Sequence, residues 1–274
     1  MVRQVARPSF YRVMAESGDE STFQGRYVAN EHTVGPWGPD MQHAGPPTAL
    51  LLRAVQQLSG APADALPARL TAEVFRPVPV GEVLIRARMV RPGRRVAWAA
   101  AQLAVASEPD RAVMRCHVWL VRRTPDPLDL PMTATPPPPG PGRPQQAPGS
   151  WGGGYLESVS WELTHGSFAE PGPAGTWTTL LVDLVDHEPT SGVQHAAIVA
   201  DAGSGISAVA DPSRLLFVNT ELTIHLHREP EGPSVSMDAE TTLDRHGVGY
   251  VHTKLGDTAG GVGAAAQTLF VEPR

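Results

Sequence analysis

Lysine is nearly missing from this sequence. Of 22 basic side chains in 274 residues, only Lys254 is lysine and the rest are arginine. Chemistry built on a phosphate-binding lysine, a Schiff-base lysine or a Ser–Lys dyad is excluded unless Lys254 supplies it. No glycine-rich phosphate motif surrounds that residue. The single cysteine, Cys116, rules out an intramolecular disulfide and any Cys-rich zinc or iron–sulfur site. No Gly-x-Ser-x-Gly segment exists, so a serine-hydrolase elbow is absent as well. The formal net charge is −6, with no basic stripe of the kind that binds nucleic acid. No apolar run approaches the ~20 residues that span a bilayer. Met1–Phe10 alternates polar and apolar residues and has no apolar signal core. The expectation is a soluble, cytoplasmic protein without a nucleic-acid or membrane partner.

Glycine and proline, by contrast, are plentiful at 27 and 28 residues, and they are concentrated. Ten prolines fall between Pro125 and Gly149, including the run Pro136–Pro139. Such a stretch favours extended polyproline geometry and is expected not to supply sheet donors. It reads as a surface linker over 125–149, dividing the chain into an N-terminal unit, 1–124, and a C-terminal unit, 150–274.

Both units show the same order of signals. In the first, alternation around Thr22–Val28 predicts a strand. A helix over Pro46–Leu58 follows, then strands at Arg69–Phe75, Val83–Val90, Val96–Val105 and Ala112–Val121. The helix is apolar nearly all round, so it belongs in an interior. In the second unit a strand is expected at Thr176–Val185 and a helix near Gly192–Asp201. Strands at Leu216–His227, Ser234–Thr242, Gly249–Leu255 and Ala264–Val271 complete it. Phe75–Gly81 parallels Leu226–Gly232 at an offset of 151. Cys116–Val121 parallels Ala266–Val271 at an offset of 150. Nearly equal spacing and shared order indicate a tandem duplication. A buried helix followed by a sheet long enough to wrap it is an α+β arrangement. Two copies can pair edge to edge and protect the edge that each would expose alone. That is the architecture of a double hotdog, with two tandem repeats.

Several segments carry a family resemblance across the chain. Gln42-His43-Ala44-Gly45-Pro46-Pro47 opens the first helix, and Ala200-Asp201-Ala202-Gly203-Ser204-Gly205 closes the second. Phe217-Val218-Asn219-Thr220-Glu221-Leu222-Thr223 enters a strand that ends His225-Leu226-His227-Arg228. Ala265-Ala266-Gln267-Thr268-Leu269 lies on the last strand. Together these resemble the type II acyl-CoA thioesterases and the thioesterase-like double-hotdog proteins. The resemblance implies hydrolysis of an acyl-CoA or related acyl thioester by an activated water, without a covalent acyl-enzyme. It implies no cofactor and no metal, a place in lipid or specialised metabolism, and a homo-oligomer such as a dimer.

Carried over by motif, the catalytic set becomes Asp201, then Asn219 or Thr220, and Gln267. Alignment on the His-Arg at the strand's end puts Asn219 where the family has a hydroxyl. Strand alternation gives the other answer. Val218, Thr220, Leu222, Ile224 and Leu226 form one apolar face, so Thr220 points toward the helix. A bulge reverses this, and both residues remain candidates. A carboxylate can deprotonate water while an amide or hydroxyl orients it. The thioester oxygen gains charge on attack and needs aimed donors. The helix start is expected to supply them as substrate-binding residues: His43, and the backbone of Ala44, Gly45 and Thr48. Gly45 is also expected to admit the acyl carbonyl. His225 and His227 share a strand face, but no third metal ligand lies at useful spacing. Two other functions fit the same segments. One is an enoyl-thioester hydratase or dehydratase, which needs an acid–His pair; the second unit has none, and the first offers only His43 with Glu73. The other is a non-catalytic acyl-CoA-binding protein.

Overall fold

The computed structural model describes residues 7–129, 135–209 and 214–274. The first six residues and residues 130–134 of the proline-rich strap lie outside the described residues. The first repeat runs β1 (Ser9–Gly18), β2 (Thr22–Ala29), α1 (Gly45–Gln56), β3 (Ala65–Val74), β4 (Glu82–Arg91), β5 (Val96–Val105) and β6 (Ala112–Arg122). After β7 (Arg143–Pro144) and the one-turn helix α2 (Gly154–Glu157), the second repeat begins with β8 (Val159–Ser167) and β9 (Glu170–Leu180). It continues through β10 (Asp183–Val185), α3 (Gly192–Ala200), α4 (Gly203–Ile206), β11 (Leu215–Leu226), β12 (Ser234–Leu243), β13 (Val248–Asp257) and β14 (Gly260–Pro273).

The fourteen strands among the described residues form one sheet, in the order β10-β1-β2-β4-β5-β6-β3-β11-β14-β13-β12-β9-β8-β7. The order β1-β2-β4-β5-β6-β3 is mirrored by β8-β9-β12-β13-β14-β11, so the fold is a double hotdog. The repeats meet at β3 and β11, which pair antiparallel with Thr71 opposite Thr223. Their hydroxyls are 3.2 Å apart. Each of these strands also carries a bulge, at Ala68 and at Thr220. The offset of 152 is the same at the bulges and at the central threonine pair, which places the pseudo-two-fold axis there.

The helices lie inside the curve of the sheet. Pro46 and Pro47 suit the first turn of α1, where their missing N–H groups cost nothing. Every residue from Gly45 to Val55 is buried. Ser191 and Gln194 form a capping box at the start of α3. The two helices pack directly on one another, and a Cβ on Gly45 would run into the Ile198 carbonyl oxygen. At the other end Gln194 Nε2 donates to Gln56 Oε1 at 2.9 Å. Near it Arg53, buried, is held by Glu16 at 2.7 Å and Glu188 at 2.6 Å. A guanidinium there is tolerated only because both carboxylates and Tyr27 satisfy its donors.

Three expectations need correction. Thr176–Val185 is two strands, because the chain leaves the flank of β12 at Leu180 and crosses to pair β10 in parallel with β1. Strands β1 and β8 have no counterpart in the expected elements; in both, polar residues occupy positions that alternation would make apolar. The proline-rich segment does reach the sheet, since Arg143 pairs with Leu163 and the Gln145 N–H donates to Trp161.

Candidate active site

The sequence of α3 runs Ala196–Ala200 in small and aliphatic residues, then Asp201, then Ala202 and Gly203. The helix therefore ends at Asp201, which serves as its C-cap and is buried. A buried carboxylate is costly unless it is hydrogen-bonded. Here three side chains from three other elements converge on it. Asn219 Nδ2 of β11 donates to Oδ1 at 2.7 Å. Gln267 Nε2 of β14 reaches the Asp201 backbone oxygen at 3.1 Å and Oδ1 at 3.4 Å. His43, just before α1, places Nδ1 2.8 Å from Oδ2. The carboxylate can only accept, so Nδ1 carries the proton.

The bulge in β11 decides between Asn219 and Thr220. In the pairing of β11 with β14, Asn219 lies opposite Leu269 and Glu221 opposite Thr268, so Thr220 is the extra residue. Asn219 and Leu222 consequently both face inward and are buried. Thr220 is exposed, and its hydroxyl approaches only the Thr268 carbonyl, at 3.4 Å. The alternation that favoured Thr220 holds on either side of the bulge but not across it.

The start of α1 also differs from expectation. Thr48 is no free donor, because its N–H and hydroxyl both go to the Ala44 carbonyl, at 3.1 and 2.7 Å. The lack of a Cβ at Gly45 serves the contact with α3. What remains are the N–H groups of Ala44 and Gly45, at a helix end that has no side-chain cap. The Gly45 N–H lies 3.3 Å from His43 Nδ1. With its proton directed at Asp201, that nitrogen has no lone pair to offer.

Two aromatic residues outside the expected set complete the site. Tyr155 stacks on the His43 ring at 3.7 Å and donates its hydroxyl to the Ile198 carbonyl at 3.0 Å. Burial, together with the nearby Asp201, pushes its phenol well above the usual range, so it stays a neutral donor. Trp37 approaches His43 from another side at 5.8 Å, and its indole N–H donates to the Phe217 carbonyl at 3.2 Å. Neither residue sits in a motif. The only hint was an aromatic side chain in each of two glycine-rich loops. Tyr155 in turn meets Trp161 edge-on at 6.3 Å. Trp161 lines a cleft of about 770 Å³ with Ala147, Leu156, Val159 and Leu181. Trp161, Tyr155, His43 and Asp201 thus form a continuous row of contacts from cleft to carboxylate.

One atom in the cluster is unsatisfied. Gln267 Oε1 is buried and has no hydrogen-bond partner among the described residues. Its amide nitrogen is fixed by the two Asp201 acceptors, so the oxygen must face elsewhere. Gly203 lies there, and a Cβ on it would crowd Thr253 Oγ1 and Gln267 Oε1, at 2.6 and 3.1 Å. A buried acceptor without a partner is one that a bound donor molecule would satisfy.

The pseudo-symmetric position carries none of this chemistry. Leu222 faces Gln267 and Leu70 faces Val118, so Val118 is the counterpart of Gln267. The offset of 150 read from the sequence had pointed one residue away, at His117. By the offset at the bulges, Pro67 is the counterpart of Asn219. Glu73 pairs with Glu221 on the outer side of the sheet and does not meet His43. His43 pairs with the second repeat's Asp201 instead, so one polar site spans the two repeats.

Among the described residues no helix is long and apolar enough to cross a membrane. No curated protein sequence matches the chain at a significant level. Among solved structures, a protein assigned as a thioesterase II from Thermobifida fusca superposes with a TM-score of 0.73 at 18% identity, covering 95% of both chains. A hot dog fold protein from Alicyclobacillus acidocaldarius gives 0.70 at 16%, covering 94% of this chain and 96% of that one. An acyl-CoA thioesterase II from Mycobacterium marinum gives 0.64 at 10%, with 95% and 96% covered. At such identities these likenesses speak for the fold. The model of the acyl-CoA thioesterase N-terminal domain matches residues 33–121, and that of the C-terminal domain matches residues 131–271. The chain therefore belongs to the acyl-CoA thioesterase family, whose chemistry is thioester hydrolysis.

Proposed function

We propose that this enzyme hydrolyses an acyl-CoA in the cytoplasm with a water activated by Asp201, at the single site between the repeats. The observation that carries this reading is the buried Asp201 carboxylate, held by His43, Asn219 and Gln267 beside the uncapped start of α1. Asn219 and Gln267 fix the carboxylate by hydrogen bonds to Oδ1. Oδ2 keeps a lone pair beyond its contact with His43, and that lone pair takes a proton from water. Gln267 Oε1 accepts the water's other hydrogen and orients it. The water oxygen bonds to the thioester carbon, and the carbonyl pair moves onto oxygen. The N–H groups of Ala44 and Gly45 stabilise that oxyanion. Collapse breaks the C–S bond, and the proton held by Asp201 passes to the thiolate, leaving acid and free thiol. No acyl-enzyme forms. Purified protein incubated with a panel of acyl-CoAs should release thiol, and Asp201→Asn should abolish the release. Acyl-CoA binding without thiol release at every chain length would instead mark a binding protein.

The His43–Asp201 pair favours one second reading, hydration of an enoyl thioester, which needs such a pair for proton transfer at carbon. Loss of enoyl absorbance without thiol release would identify it.

A further inference from the structure

We infer, on the reading that Asp201 is the base, that Tyr155 is a positioning residue which fixes both halves of the His43–Asp201 pair. Its ring holds the imidazole, and its hydroxyl holds the turn of α3 that ends in Asp201. The imidazole needs such a support. Rotation about the bond from Cβ to the ring is soft, and one hydrogen bond to Asp201 Oδ2 leaves the ring free to tilt. Tyr155 removes that freedom, lying 3.7 Å from the imidazole with the two planes 10° apart. The tyrosine itself has no room to give way. It is fully buried, with Phe10 at 6.4 Å and Trp161 at 6.3 Å against its own ring.

The hydroxyl acts on the other partner. The last turn of α3 tightens, so that the Ala202 N–H bonds to Val199 at 2.9 Å instead of to Ile198. The Ile198 carbonyl, about one turn before Asp201, is thereby left without its helical donor. The Tyr155 hydroxyl replaces that donor at 3.0 Å. The segment that follows the strap is built to bring the tyrosine there. Its N–H donates to the Val34 carbonyl at 3.1 Å, and Ser158 Oγ meets His32 Nδ1 at 2.9 Å. A Cβ on Gly154 would run into the Glu31 carbonyl oxygen, and one on Gly153 into that of Val34. The same loop holds His43 from the other direction, since the His43 N–H donates to the Thr33 carbonyl at 2.8 Å. Imidazole, tyrosine and carboxylate are thus tied to one another through backbone as well as side chains.

Two substitutions separate ring from hydroxyl. Tyr155→Phe and Tyr155→Leu lose the same hydrogen bond, but only the first keeps the stack. With an acyl-CoA as substrate and circular dichroism confirming the fold, Tyr155→Phe should keep kcat within about threefold of wild type. Tyr155→Leu should lose about tenfold or more in kcat, with KM within about twofold. NMR of the histidine rings reads the geometry without substrate. In wild type the carbon-bound protons of the His43 imidazole, identified by their absence in His43→Gln, should lie upfield, shielded by the tyrosine face. Tyr155→Leu should lose most of that shift and Tyr155→Phe should keep it. Gly154→Ala should displace the tyrosine and reproduce both losses with Tyr155 intact. Equal kcat in the two Tyr155 variants would overturn the inference. So would unshielded His43 protons in wild type, or full activity and full shielding in a folded Gly154→Ala. A wild type that releases no thiol would defeat the hydrolysis reading instead, and the shifts alone would then decide whether Tyr155 holds the pair.

Discussion

Nδ1 of His43 lies 2.8 Å from Oδ2 of Asp201, joining the residue that precedes one repeat's helix to the residue that ends the other's. Neither repeat contains the pair by itself. The antiparallel packing of α1 on α3 creates it, and the same packing demands a glycine at position 45.

If Asp201 is the general base, Asp201→Asn keeps the size and loses the proton acceptor. We expect kcat to fall by about 10²–10⁴, with KM little changed and the circular dichroism spectrum intact. Single-turnover thiol release from an acyl-CoA measures it.

The bulge predicts opposite outcomes for neighbouring residues. Asn219→Ala removes a hydrogen bond to a buried carboxylate, which is about 1.5–3 kcal/mol, or roughly ten- to a hundredfold in kcat/KM. Thr220→Ala should stay within about twofold, because its side chain is exposed. Equal effects at the two positions would contradict the register described here.

Gly45→Ala should destabilise the whole protein, since its methyl group meets the Ile198 carbonyl and neither helix can retreat without opening the core. An overpacking cost of about 1–3 kcal/mol is expected, read as a Tm several degrees lower. Thermal unfolding of the variant beside wild type tests it. An unchanged Tm would mean that the helices are less tightly apposed.

Stability should fall with acidification before any carboxylate titrates. His195 is buried in α3 against Thr178, and burial, aided by Arg7, holds its imidazole down to about 3. The unfolded chain protonates this group near 6.5. It therefore binds more protons than the folded chain below that pH, and stability is lost from about pH 6.5 downward toward 3. The urea midpoint of wild type should drop across this window, and His195→Asn should flatten the dependence. At lower pH Asp257, held at about 2 chiefly by its hydrogen bonds from Arg228, adds a second loss. That loss begins below about 3.8 and runs through about 2.

Much of the fold was legible because burial leaves a periodic mark. Ala49–Leu52, Ala54 and Val55 are apolar around a whole helix, which only an interior position permits. The strands that pack against α1 and α3 alternate as strands should. β1 and β8 escaped notice because each buries only part of its length, so alternation fades. Asp201, Gln267 and His43 were named through the family resemblance of the segments that hold them, not through periodicity or composition.

The sequence by itself determined the two-repeat α+β plan, and its scarcity of lysine and cysteine excluded chemistry built on either. These follow from composition and local periodicity, which act over a few residues. Only the tertiary structure decided that Asn219 faces inward, because a one-residue bulge inverts every side chain beyond it. It alone decided that His43 belongs to Asp201 and not to Glu73, and that Tyr155 and Trp37 close around that pair. Contacts between residues more than a hundred positions apart depend on how two helices pack, and no spacing along the chain records that.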